Sequence, residues 1–556
     1  MFVIGAFIFA FLGSRPLSNP DEGRYSEIPR EMALSSDYVT PRLDGVKYFE
    51  KPPLVYWLSA ITFRAFGISE WSARLWCAAF AVFGAVLTYA AGRALYNRET
   101  GLWSAAVLSL SLLYYALSRI VLLDLVVSVF MAGALFAFLV AVRLPVGARR
   151  RALFSAFYAA MALATLTKGL IGFVLPCMII FLWLLALNEW QRLRPFYPVS
   201  GGIIFLLIAT PWHLAAVRAN GDFAYFYFVH EHLLRFTTQT HGRIQPWWFF
   251  LPVVAGGLFP SIVFFGQAAK QSFPGGWGGR HENREAWFLL IWFIAIIGFF
   301  SISQSKLVPY IAPVLPAAAV VIGRYLDVVW RGGGKRGARI GLLVFASLAA
   351  ALVLVLVFAP LPSNYYHLTA SLRPGRFVLA GILGCGAIAV GICAMQRVLR
   401  AALIAMALSC ALFFASLNFV AGTLDNRSTK PLALALQARL APDDAVFSVG
   451  EYFQDLPVYL NRLVDVVDYE GELSFGIHSE PMRIGGRFIA KAAFLSRWHQ
   501  TGTAYAVVQK DKLSNWFSGA DMLQTVVAET PHAILLVNRP VVPNRLATSN
   551  PPPRPR

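Results

Sequence analysis

A polytopic α-helical membrane protein with a small α/β domain at its C-terminal end is the fold class that this chain predicts. Three observations carry that reading. The 556 residues are 57% hydrophobic and only 14% charged, where a soluble chain is nearer a quarter charged. Mean hydropathy is +0.59, and apolar runs approaching the length that crosses a bilayer recur as far as residue 420. Beyond that point the pattern changes to short β-branched runs alternating with amphipathic stretches, as in α/β domains.

Taken in order, about thirteen spans are expected, near residues 1–13, 72–92, 101–117, 121–142, 152–167, 169–187, 200–217, 246–267, 286–302, 307–326, 339–360, 377–396 and 400–420. The opening run, Phe2 to Gly13, is short for a span and lacks the charged leader of a cleavable signal. The expected domains are a membrane domain over 1–420, with a long first loop at 14–71, and an α/β domain over 421–556. In the latter, "AVFSVG", "LVDVVDY", "AYAVVQK" and "AILLVN" read as strands, and "KPLALALQARL" and "RFIAKAAFLSRW" as helices. The ending "NPPPRPR" reads as a disordered tail.

Basic residues gather in one set of alternate loops, for example Arg149, Arg150 and Arg151, or Arg331, Lys335 and Arg336. The positive-inside rule makes that side cytoplasmic. The first loop, residues 218–245 and the C-terminal domain then face outward, into the periplasm of a bacterial inner membrane. The net charge of +19 has its source in those loops and not in a nucleic-acid module. The cysteines, Cys77, Cys177, Cys385, Cys393 and Cys410, all lie in apolar runs, which argues against a disulfide framework.

The first loop holds the densest chemistry. In "NPDEGRYSEIPREM", residues 19–32, Asn19 suits an N-cap and Pro20 the first turn of a helix. Asp21, Arg24, Tyr25 and Ile28 then share one helical face, with Glu22 beside them. Further on, "GVKYFEKPPLVYW" places Lys47, Tyr48, Glu50 and Lys51 before a Pro-Pro stop and an apolar stretch too short to span. Asp124 interrupts the apolar run "SRIVLLDLVVSVF", where a carboxylate at mid-helix costs roughly 2.5–3.5 kcal/mol to insert. An ion pair with Arg119 or a nearby lysine would serve as its structural explanation. Lys168 and Lys306 sit at span ends, where an ionisable group is a functional candidate or snorkels to the interface. His230, Glu231, His232 and His241 cluster in "FVHEHLLRFTTQTH", without a clear four-ligand spacing.

The series "PDE.RY", "YFEKPPL.YW", "SRIVLLDLVVSVF", "LTKGLIGFVLP", "TPWHLAA", "FVHEHLLRF" and "SKLVPYIAPVLPAAAV" resembles the polyprenyl-phosphate-dependent glycosyltransferases of the GT-C type. Within them it is similar to the lipid A aminoarabinose transferases, relatives of the protein O-mannosyltransferases. The resemblance covers residues 1–420, while the C-terminal part is alike only in being a small α/β domain. It implies an undecaprenyl-phosphate-linked 4-amino-4-deoxy-L-arabinose donor, a lipid A acceptor and, as consequence, resistance to polymyxin. Arg24, Tyr25, Tyr48, Lys51, Arg235, Lys306 and Tyr310 would hold the donor phosphate. Asp21, Asp124 and Glu50 would be the catalytic carboxylates, with Glu22 and Lys168 also in the cavity. No cofactor is required by the sequence; the candidate metal ligands are Glu50, His230 and His232. The alternatives are transfer of another sugar to protein or lipid, or a transporter. Transporters place polar sites at the midplane on broken helices, often within repeats, whereas here the charges gather in loops and span ends.

Overall fold

The computed structural model describes residues 1–234, 245–361, 368–424, 427–500, 502–517 and 524–539. Contacts divide the chain into two compact units. One comprises residues 1–16, 28–43 and 47–425; the other comprises 17–27, 44–46 and 426–556.

The first unit is helical. Among the described residues eight helices are long and apolar enough to cross a membrane, or nine if the pair Phe250–Gly257 and Ser261–Ser272, bent by 100°, is one span. This differs from the thirteen expected from sequence, for identifiable reasons. Phe2–Phe9 has 8 residues. The run 101–117 breaks into Arg98–Ser109 and Leu112–Leu117, and Ile171–Leu187 has 17 residues. Ala148–Lys168 carries three arginines in its first turn and a lysine in its last. The aromatic stretch after Pro53 forms the 13-residue helix Leu54–Phe66.

Burial separates a centre from a periphery. The most apolar windows of Leu123–Ala141 and Val308–Trp330 are 72% and 89% buried inside the protein, against 22% for Lys335–Phe358. Small residues let backbones approach in that centre, as is usual between apolar helices. A Cβ on Gly323 would sit 2.6 Å from the backbone nitrogen of Ser104, and one on Gly101 2.5 Å from the carbonyl of Tyr89.

In the second unit the chain forms a six-stranded sheet. With β1 (Arg42–Leu43) and β2 (Val46–Lys47) forming a hairpin earlier in the chain, its strands are β3 (Ala445–Val449), β4 (Asp465–Val467), β5 (Phe488–Ile489), β6 (Ala504–Gln509), β7 (Thr525–Glu529) and β8 (Ala533–Val537). The order is β5-β4-β3-β6-β8-β7. β3 is parallel to β4 and β6, with Phe447 opposite Asp465 and Ala506; β8 is antiparallel to β6 and β7. Phe447, Phe494, Trp498, Trp516 and Leu536 form the core. All four strands read from the sequence are present, whereas β5 and β7 were not expected. The two helices are shorter than read, Lys430–Gln437 and Lys491–Trp498; the second begins late because residues 488–489 pair as β5 instead of opening a helix. Residues 421–424 finish the last apolar helix, Leu399–Leu424, and so precede the α/β unit. The expected tail, 550–556, lies outside the described residues.

Asn19 does not act as the N-cap of the helix Asp21–Ser35. Its side-chain oxygen accepts from the Asp455 amide at 3.0 Å, and its amide donates to the Asp455 carboxylate and to the carbonyl of Arg427. The helix start is held by Glu22, whose carboxylate accepts from the Ser18 amide at 3.1 Å.

Candidate active site

Two antiparallel helices make the centre of the site. Asp124 occupies the first turn of Leu123–Ala141, and Lys168 the last turn of Ala148–Lys168. Each helix dipole favours the charge at that end. Gly169, at φ +84°, ends the second helix, a backbone region that glycine enters without cost. The hairpin therefore brings the two ends together, and the Lys168 ammonium and Asp124 carboxylate form an ion pair. Arg119 is not the partner of Asp124. Its guanidinium donates to the carbonyls of Phe7 and Ala10 and lies over the Tyr115 ring.

A cavity of about 170 Å3 opens beside that pair. It is lined by Glu50, Lys51, Asp124, Ser128, Lys168, Glu231, Ser303, Ser305 and Tyr310, with Met131, Ile171, Leu175 and Phe300 among its apolar neighbours. The Lys168 ammonium lies 4.8 Å from the centre of the Tyr310 ring, within cation–π range. Lys51 precedes Pro52 and Pro53, which lead into Leu54–Phe66; two prolines restrict the backbone that carries the lysine. Its ammonium donates to the Glu50 carbonyl at 2.8 Å and lies 3.7 Å from the Glu231 carboxylate. Glu231 comes from the π-helical segment Tyr225–Leu234, and its side chain is only 3% exposed. Two further cavities, around Phe173, Phe205, His213 and Phe228, and around Phe83, Phe130, Phe136 and Leu163, are almost wholly apolar.

The remaining candidates divide by location. Tyr48 is buried in the membrane unit. Lys306 is buried and donates to the Ser303 carbonyl at 2.6 Å; Ser303 and Ser305 line the cavity, Lys306 does not. Asp21, Glu22, Arg24 and Tyr25 belong to the second unit. There Arg24 lies 3.4 Å from Asp21, pairs with Glu472 and sits 5.8 Å from the Tyr25 ring centre. Asp21 is half-exposed and Glu22 fully buried. Arg235 and His241 lie outside the described residues, as does the side chain of His232. His230 is exposed, with Nδ1 3.4 Å from Glu231. Among the described residues no three His, Cys, Asp or Glu side chains group as metal ligands.

Sequence reasoning named Glu231 only as part of a histidine-rich cluster. The signal that would have singled it out is a carboxylate inside the aromatic run "YFYFVHEHLL".

Ammonium groups facing a small opening suit a phosphate, and carboxylates beside them suit a sugar or a developing positive carbon. On a bundle of apolar helices with an α/β unit, this defines an integral-membrane glycosyltransferase of the GT-C type, using a polyprenyl-phosphate-linked donor. Residues 18–227 match the dolichyl-phosphate-mannose-protein mannosyltransferase family, and residues 432–538 match the aminoarabinose transferase C-terminal domain. The chain is 30% identical over 386 residues to the undecaprenyl phosphate-alpha-4-amino-4-deoxy-L-arabinose arabinosyl transferase 2 of Sodalis glossinidius, covering 69% of this chain and 68% of that one. The corresponding transferase of Pectobacterium carotovorum is 31% identical, over 57% of this chain and 56% of its own length. The crystal structure of ArnT from Cupriavidus metallidurans bound to undecaprenyl phosphate superposes with a TM-score of 0.86 at 29% identity, covering 97% of each chain. The chain belongs to the undecaprenyl phosphate-4-amino-4-deoxy-L-arabinose arabinosyl transferase family.

Proposed function

We propose that this enzyme moves 4-amino-4-deoxy-L-arabinose from undecaprenyl phosphate to a phosphate of lipid A, at the periplasmic face of the inner membrane. The observation that carries the reading is the cavity that sets Lys51 and Lys168 against Asp124, Glu50 and Glu231, in a chain whose relatives are named for that donor. In the reaction an oxygen of the lipid A phosphate attacks the sugar C1. The bond from C1 to the carrier oxygen breaks, and undecaprenyl phosphate leaves with the electron pair. Charge grows on the leaving phosphate, so Lys51 lowers the barrier by facing it. Lys168, already paired with Asp124 and set over Tyr310, keeps that carboxylate oriented toward the sugar. A lipid A phosphate is ionised at neutral pH, so the acceptor needs no general base, and the reading requires no cofactor. A hydroxyl acceptor on protein would need one.

The test is mass spectrometry of lipid A from a host that makes the donor, with and without this chain. A pentosamine added to a phosphate is the expected product. Fewer anionic groups on the outer leaflet weaken the attraction of cationic peptides, so polymyxin resistance should rise with modification. Glycosylated protein with unmodified lipid A would replace this reading with the protein-acceptor one.

A further inference from the structure

We propose that the apolar groove between the helices Glu70–Leu95, Leu123–Ala141 and Ala148–Lys168 holds a phospholipid with an anionic headgroup, in the leaflet opposite to the transferase site. This goes beyond the reading above, since neither donor nor acceptor occupies the groove. It measures about 430 Å3 and is lined only by apolar residues, half of them Ala or Gly. Leu123–Ala141 is its floor and packs against both other helices. A Cβ on Gly133 of the floor would lie 3.3 Å from Leu87 of one wall and 3.9 Å from Ala160 of the other, so the missing side chain keeps the groove deep. On the walls Ala90, Ala94 and Ala156 are exposed. The groove is therefore open sideways, and in a bilayer what meets it is acyl chain.

Charge decides which lipid. Each of the three helices brings an arginine to the same end of the groove, about one turn beyond a residue that lines it. Arg93 follows Ala90 by three positions and Arg149 precedes Leu153 by four, spacings that share a helix face; both arginines are exposed. Arg143 follows Val140 by three. Its guanidinium donates to the carbonyls of Ala94 at 3.3 Å and Leu95 at 2.9 Å, and pairs with Glu285 at 3.3 Å, so it lies across the end of the first wall. By the positive-inside rule this end is cytoplasmic, where basic residues beside a span attract anionic headgroups and the guanidinium fork suits a phosphate. Asp124 and Lys168 sit at the opposite ends of the floor and the second wall, roughly 28 Å away along a 19-residue helix. Undecaprenyl phosphate, with its phosphate at Lys51, would put its anion at the wrong end of the groove. A second copy of this chain, docked here about a two-fold axis, would set the three arginines against themselves. A phospholipid needs an anion site at one membrane face and an apolar groove running inward from it, and the three helices supply both.

The experiment titrates the purified full chain in detergent with phosphatidylglycerol or phosphatidylcholine carrying the same two acyl chains, and counts bound lipids by native mass spectrometry. Wild type should bind the first phosphatidylglycerol roughly 10- to 100-fold more tightly than the first phosphatidylcholine, as two or three arginines near a headgroup imply. Arg93→Gln combined with Arg149→Gln should bring the two lipids to within about three-fold of each other. Ala156→Phe fills the groove from an exposed position and should weaken both lipids alike. Equal binding of the two lipids by wild type overturns the proposal without any variant having to fold. A preference for phosphatidylglycerol that survives the arginine changes overturns it too. So does binding that Ala156→Phe leaves unchanged, because the headgroup would then rest on a basic rim with no chain in the groove. Dimers of wild type that Ala156→Phe separates would overturn it in favour of a second copy.

Discussion

The carboxylates of the two units are held in opposite ways. In the membrane unit Asp124 and Glu231 pair with lysine side chains in the lining of a cavity. In the second unit Asp44 and Asp455 are fully buried, and their partners are largely fixed. Asp455 accepts from the Ser428 hydroxyl at 2.8 Å, the Thr429 amide at 2.8 Å and the Thr429 hydroxyl at 2.7 Å. Burial pushes its pKa up to about 6, against the pull of those donors and of Asn19. Asp44 accepts from the Val464 amide at 3.1 Å and lies 3.7 Å from the Arg487 guanidinium. Its Oδ2 is buried without a hydrogen-bond partner among the described residues, and burial, opposed by Arg487, raises its pKa to about 7. A carboxylate facing a flexible ammonium can change partners when an anion arrives. One locked to backbone and hydroxyl donors cannot, and its ionisation instead bears on stability. The contrast separates binding machinery from structure more sharply than burial or charge alone.

The largest expected effect lies on the exchangeable side. Lys51→Ala removes the ammonium assigned to the carrier phosphate. Transfer should fall below detection while protein abundance in the membrane stays normal, as measured by product mass spectrometry beside immunoblotting. Full activity would make Lys51 a contact for lipid headgroups instead. Next comes Asp21→Asn, which keeps the shape of the residue at the start of the helix Asp21–Ser35 and removes its charge. If Asp21 only supports the helix start, the change is worth a few tenths of a kcal/mol. If it stabilises charge in the transition state, the barrier rises by about 2–4 kcal/mol, or roughly 10²–10³ in rate. The rate with saturating donor, beside thermal stability, decides between them.

A smaller effect tests whether the close pair belongs to structure, function or both. Asp124→Asn leaves Lys168 facing an amide, and because both side chains are 13% exposed, the stability loss should be about 1–3 kcal/mol, below that of a fully buried pair. Lys168→Met in the same chain should restore most of the stability without restoring transfer. Recovery of both would make the pair a structural device alone.

Much of this was legible in the sequence because the signals were local. The Asp21 helix face, the carboxylate in an apolar run and four strands of the C-terminal sheet each follow from neighbours within about seven residues. What escaped depends on contacts far along the chain. The grouping of residues 17–27 and 44–46 with the C-terminal unit rests on pairs such as Asn19 with Asp455, 436 positions apart. The same distance hid the true role of Asn19, since its side chain satisfies either a local cap or a remote carboxylate and composition does not distinguish them. Where an apolar run breaks, as at Leu110 and Ser111, hydropathy averages across the break, so the sequence shows one run where the structure has two short helices. β5 has two residues and pairs only because β4 lies beside it, which no periodicity reveals.

The smallest effect probes the locked side. Asp44 sits with Gly45 at the tip of the β1–β2 hairpin, at φ +51° and +80°, the left-handed pair that a two-residue turn favours. The groups that act on its charge are Arg487, which lowers its pKa, and Glu27 and Asp465, which raise it. Because the folded value of about 7 lies above the ordinary 3.8, the folded state holds this proton more tightly than the unfolded chain. The stabilisation is complete below about pH 4 and is lost as pH rises toward 7, after which the fold carries a buried charge. Asp455 acts in the same direction over a narrower window, ending near its value of about 6. Asp44→Asn keeps an oxygen for the Val464 amide and removes the titration, at the expense of the attraction to Arg487. The gain near pH 8 should therefore be only about 1–2 kcal/mol, with no gain near pH 4.5. Hydrogen exchange at the amides of β3 and β4, followed in the intact purified chain at both pH values, reads this locally. If wild type and Asp44→Asn show the same pH dependence there, Asp44 does not carry the charge penalty that its burial implies, and the division between exchangeable and locked carboxylates loses its clearest member.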